Sequence, residues 1–135
     1  MFRSIVAVIG GALAGGVFNM GVIMLSWVMF PPPEGADLSD PATLKAYVES
    51  LPTAAFFVIL AAHAGGALVG GFVAALFARR SPIVLGTIVG GLFLIGGIVN
   101  VMSIPRPLWF AVADLVLYVP CGILGARLAP KRTSA

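Results

Sequence analysis

Four runs of this chain, residues 5–29, 52–78, 82–104 and 107–129, hold 23 to 27 residues each and carry only two charged side chains between them, Asp114 and Arg127. A helix of about 20 apolar residues spans the roughly 30 Å of a bilayer's hydrocarbon. In that medium every backbone N–H and C=O must find its partner inside the protein, which makes helices the default over strands. Packing the same runs as buried helices of a soluble domain would require a polar covering, and the chain does not have one. Only 10% of its residues are charged, against about a quarter in an ordinary soluble domain. The expected fold is therefore an all-α integral membrane protein, an antiparallel four-helix transmembrane bundle forming a single domain over residues 1–135.

The first run is longer than the roughly 7 to 15 apolar residues of a cleavable signal and is read as a retained span. Pro31, Pro32 and Pro33 stop it. An extracytoplasmic loop over 30–51 follows, and within it Asp40 before Pro41 caps a short helix ending at Ser50. Leu44, Val48 and Leu51 recur there at helical spacing, with Lys45 and Glu49 as an i,i+4 pair beside them. That pattern predicts a short amphipathic helix lying on the membrane or across the bundle mouth. Pro52 suits a first helical turn, and Ser81 with Pro82 makes a cap and first residue for the third span. The remaining connections, 79–81 and 105–106, are so short that successive spans become antiparallel neighbours.

Arg3, Arg79, Arg80, Arg127, Lys131 and Arg132 fall on one side of this arrangement; Lys45, Arg106 and four of the five acids fall on the other or near it. An excess of Lys and Arg in short loops marks the cytoplasmic side. Both termini are thus expected in the cytoplasm, and the location expected is a cytoplasmic membrane of the bacterial inner-membrane kind. Trp27 and Trp109 fall at the opposite interface, where aromatic belts sit.

Glycines recur in three spans. Gly11 and Gly15 in the first, Gly66 and Gly70 in the second, and Gly86, Gly90 and Gly97 in the third make stripes free of side chains, on which helix backbones approach closely. GGALAGG and GGALVGG lie inside apolar helices with no strand before them, which excludes a phosphate-binding loop. A faint echo between GGVFNM (15–20) and GGIVNV (96–101) places Asn19 and Asn100 at comparable positions.

The polar side chains inside the spans are the costly ones. Asp114 lies seven residues beyond Pro107, about 10 Å into the membrane, where an ionised carboxylate costs about 2.5 to 3.5 kcal/mol on insertion scales. Tyr118 follows on the same face. His63 lies about 16 Å from the same outer surface, Asn19 about 15 Å inward from Met29 and Asn100 about 6 Å inward from Ile104. All five gather in the outer half of the membrane. They form a candidate intramembrane polar or proton site, with Asp114 as the charge-bearing group, His63 its partner, and Tyr118, Asn19 and Asn100 as walls. Histidine changes charge near neutral pH, and a carboxylate beside it favours the charged ring. The competing interpretation is interhelical hydrogen bonding alone.

One histidine, one intramembrane aspartate and one cysteine supply too few ligands for a metal. No cofactor and no catalytic residue is expected, and an enzyme is disfavoured. The basic residues do not cluster on a folded face, which argues against nucleic acid as partner. The partners expected are the lipid bilayer and either further copies of the chain or a larger membrane protein. Three functions follow: a self-associating or accessory subunit acting through helix packing; a small oligomeric transporter or channel with an Asp114/His63 site linked to protons or a cation; or an intramembrane enzyme or lipid-binding protein using the cavity mouth under the 41–50 helix.

Overall fold

A computed structural model of the chain describes residues 2–78 and 81–130. It contains five helices: α1 (Phe2–Met29), α2 (Pro41–Ser50), α3 (Thr53–Phe77), α4 (Pro82–Ser103) and α5 (Leu108–Leu128). Four of them, α1, α3, α4 and α5, are long and apolar enough to cross a membrane. The described residues include no strand. Arg79, Arg80, Lys131 and Arg132, four of the six bases assigned to the cytoplasmic side, lie outside the described residues.

Helix ends follow local chemistry. α1 already includes Phe2, the first described residue, and so reaches three residues before the apolar run. Past the prolines the chain reverses at Gly35, whose φ of +74° is the left-handed value that favours glycine. The Ala36 N–H donates there to the Pro33 carbonyl at 3.0 Å. At the start of α2 the Asp40 carboxylate accepts from the Thr43 hydroxyl at 2.7 Å and its N–H at 2.8 Å. These bonds, the hydroxyl's first, hold the Asp40 carboxyl below its ordinary range. Lys45 and Glu49 pair at 3.8 Å on the exposed face.

Two expected helix starts are corrected. Pro52 precedes the first turn of α3 instead of opening it, and its carbonyl accepts from the Ala55 N–H at 2.9 Å. Ser81 does not cap α4 with its side chain; it sits at φ +52° and offers its carbonyl to the N–H of Val84 at 3.0 Å. In the left-handed conformation its hydroxyl makes no cap bond.

The helices do not form a ring of sequential neighbours. α3 is central and packs on α1, α4 and α5, whereas α1 and α5 do not meet among the described residues. The reason lies in its small residues: Ala55, Ala62, Ala67 and Ala74 are fully buried, and Gly66, Gly70 and Gly71 are buried beside them. A helix with so little side chain on several faces accepts three neighbours. Where α1 meets α3, a Cβ on Gly11 would stand 2.5 Å from the Gly70 carbonyl oxygen, and one on Gly15 would strike that of Gly66. Residue numbers thus rise along α1 as they fall along α3. On the other side Gly71 faces the Gly122 backbone, and Gly86 of α4 has the Gly122 carbonyl 2.5 Å from where its Cβ would be. A small apolar core of Ala7, Ala74, Ala78, Leu85 and Val89 closes the half of the bundle nearest the chain termini. Outward faces carry large exposed apolar side chains such as Val17, Ile95, Val99 and Val116, a surface suited to lipid tails.

α2 stands off from the bundle: among the described residues no Cα of α2 comes within 8 Å of a Cα in another helix. It is held through side chains. Tyr47, buried, donates its hydroxyl to the Phe30 carbonyl at 2.6 Å, and burial pushes that phenol up from its ordinary value.

Candidate functional site

Contacts between α3 and α5 bring His63 and Asp114 to one level. Phe56 packs on Phe110 with ring centroids 5.2 Å apart, and two turns further along α3 and one turn further along α5 His63 Nδ1 lies 2.5 Å from Asp114 Oδ1. The second carboxylate oxygen, Oδ2, accepts from the Tyr118 hydroxyl at 3.2 Å. The Tyr118 ring stacks on the imidazole at 5.7 Å between centroids and occupies the space left by the missing side chain of Gly97. Asp114 has no exposed surface, and His63 is 7% exposed. Nδ1 is the ring nitrogen turned toward Asp114, which leaves Nε2 as the ring's remaining polar atom. Nε2 has no hydrogen-bond partner among the described residues.

Two openings flank this network. The first, the outer opening in the orientation expected from the charges, is about 180 Å³ and lies beneath α2. The second, about 460 Å³, is a cleft between α1 and α4 that runs past Asn19, Gly96 and Tyr118. His63 and Asn100 line both. The imidazole therefore stands at the partition between them, while Asp114 is sealed behind it.

All five residues of the expected polar site come to this region. His63, Asp114 and Tyr118 bond directly. Asn19 and Asn100 meet them as walls of the cleft, and the Asn19 Oδ1 is buried without a hydrogen-bond partner among the described residues. The seven glycines singled out in the sequence, Gly11, Gly15, Gly66, Gly70, Gly86, Gly90 and Gly97, all have another helix within Cβ distance inside this one chain. Gly10, Gly16, Gly21, Gly91 and Gly96 have nothing within 4 Å of theirs. Cys121 is half-buried and is not among the residues bordering either opening.

Three residues of the outer opening were not legible as site residues: Ser26, Tyr47 and Arg106. Arg106 reads in sequence as a loop charge beside Pro107. In the fold its Nε donates to the Ile104 carbonyl at 3.1 Å, its Nη2 donates to the Asn100 Oδ1 at 3.1 Å and carbonyl at 3.2 Å, and its guanidinium lies 5.4 Å from the Phe110 ring centre. Burial pulls the guanidinium down from its ordinary value, and the Asp114 charge opposes that. Only the pair Arg106 and Pro107, a base at the outer end of a span, offered a signal, since a cation there either snorkels to water or lines a mouth.

Comparisons with protein-family models, with curated proteins and with solved structures give no match to this chain.

Proposed function

We propose that the chain lies in a cytoplasmic membrane as an antiparallel four-span bundle with both termini inside, and works as a small transporter whose proton site is His63 backed by Asp114. One observation carries this reading: a fully buried carboxylate bonds at 2.5 Å to the single imidazole that borders both openings. Magnitudes favour it over structural glue. Interhelical side-chain hydrogen bonds in membranes contribute about 0.6 kcal/mol on average, so the one interhelical bond on Asp114, to His63, with a second to Tyr118 inside α5, falls short of the roughly 2.5 to 3.5 kcal/mol that a buried carboxylate costs.

The chemistry follows from the bonding. Asp114 fixes the ring with its Nδ1–H turned inward, so Nε2 is the atom that takes a proton from an opening. The incoming positive charge is balanced by the carboxylate, and the pair becomes net neutral. The charged and titratable groups facing His63 are Asp114 and Tyr118 from α5, Arg106 from the α4–α5 connection and Tyr47 from α2. The faces of α1 and α4 offer only Ser26, Asn19 and Asn100.

The test is proton flux into liposomes carrying a trapped pH dye. Wild type is expected to dissipate an imposed gradient faster than empty vesicles, and His63→Gln to slow that at least about 100-fold, the lower range for a lost proton-transfer group. A His63→Gln protein that conducts like wild type would falsify the proposal.

A second reading, self-association, has its own observation: the uncovered glycines of α1 and α4 leave bare backbone toward lipid, which a second copy could approach closely. Gly91→Leu is then expected to shift the purified protein from oligomer to monomer in analytical ultracentrifugation without lowering its thermal stability. A monomeric wild type rules this reading out.

A further inference from the structure

The geometry points to the outer opening as a binding site for a small amphiphilic anion: a carboxylate or phosphate head on Arg106 with a short apolar tail under α2. The charge argument comes first. Three of the five guanidinium N–H groups of Arg106 are spent on Ile104 and Asn100. The two on Nη1 have no acceptor among the described residues, and no acid there comes within 4.0 Å of the group. Glu49 borders a neighbouring recess with Arg106 but pairs with Lys45. No Asp or Glu lines the outer opening itself; the Asp114 charge reaches Arg106, but both oxygens of that carboxylate are taken up by His63 and Tyr118. A half-buried cation with an open fork in an acid-free cavity recognises an anion, and guanidinium geometry suits carboxylate and phosphate oxygens.

The walls supply the second half. Ile23, Leu44, Val48, Leu51, Phe56 and Ile59 surround the space with apolar surface. Its volume of about 180 Å³ is close to the ~150 Å³ of an engineered cavity that takes benzene, so the tail is about six carbons or one ring. α2 forms the roof with backbone standing clear and a single tyrosine hydroxyl tying it down, which lets a ligand enter without unpacking a span. His63 lines the same space, so proton uptake at Nε2 takes the His63–Asp114 pair from net negative to net neutral and removes a repulsion on the anion. That coupling rests on the proton reading above; the binding itself does not.

The test uses Trp27, which lines the opening, as reporter in a Trp109→Phe protein held in nanodiscs. Hexanoate is expected to change its fluorescence saturably, with hexan-1-ol and acetate each at least about tenfold weaker, because one lacks the charge-assisted bond and the other the apolar contact. Arg106→Gln is expected to weaken hexanoate at least about tenfold. Leu44→Phe, on α2 and outside the spans, fills the space and abolishes binding with Arg106 intact, which covers the case of a misfolded Arg106 variant. Equal binding of hexan-1-ol or acetate, or unchanged binding in either variant, overturns the site. Competition by oleate doped into the nanodisc assigns the anion to a lipid source; its absence assigns it to water. Hexanoate affinity is expected to rise as pH falls within the range where the probe stays ionised, and His63→Gln to remove that slope. A flat wild-type profile sinks the coupling while leaving the binding site standing, and an absent proton flux sinks the proton reading without touching either binding variant.

Discussion

Gly71→Leu is expected to destabilise the bundle by about 3 kcal/mol or more, the upper end of the range for overpacking a filled interior. A Cβ at that position lands on the carbonyl oxygen, carbonyl carbon and Cα of Gly122, all backbone, with no flexible side chain to move aside. Relief would require separating α3 from α5 along the interface that holds His63 against Asp114. The variant should therefore lose activity as well as stability. Gly91→Leu is the control. Nothing lies within 4 Å of its added Cβ, so its effect on the monomer should stay within about 0.5 kcal/mol. Unfolding followed by circular dichroism in mixed micelles separates the two. Equal midpoints for both variants would show that α3 and α5 are not packed backbone to backbone.

Asp114→Asn is expected to leave the fold in place and remove proton flux, a loss of at least about 100-fold. Asparagine has nearly the shape of aspartate and can still meet Tyr118 and the imidazole, so the structural penalty is small, on the order of the 0.6 kcal/mol average for such bonds in membranes. What it cannot supply is the negative charge that balances a proton arriving on His63. Asp114→Leu separates shape from polarity: it leaves His63 Nδ1 and the Tyr118 hydroxyl without partners and should lower stability as well as flux. The decisive pair of readings is flux and thermal midpoint on each variant. An Asp114→Asn protein with full flux would reduce the network to structural hydrogen bonding.

Much of this was legible from the residues alone, because local chemistry dictated it. The spans were visible as long uncharged runs, and α2 was delimited at both ends by Asp40 before Pro41 and by Pro52 after Ser50. The depth of His63, Asp114, Tyr118, Asn19 and Asn100 followed from counting residues at a fixed rise. Helix starts were less legible at Pro52 and Ser81, where one backbone torsion decides which group caps the helix.

Sequence by itself determined that the chain is helical, that four helices are apolar enough to cross a membrane, and that its costly polar groups lie at similar depth. Periodicity, hydrophobicity and rise per residue are local quantities, and they carry that much. Only the tertiary structure decided that α3 is central, that Asp114 meets His63 and Tyr118, and that Arg106 turns back over Asn100 to line the mouth. Those facts depend on the rotation of each helix about its own axis. That rotation is set where glycine and alanine let two backbones come together, and a stripe of small residues shows that a face packs without showing which helix it packs against.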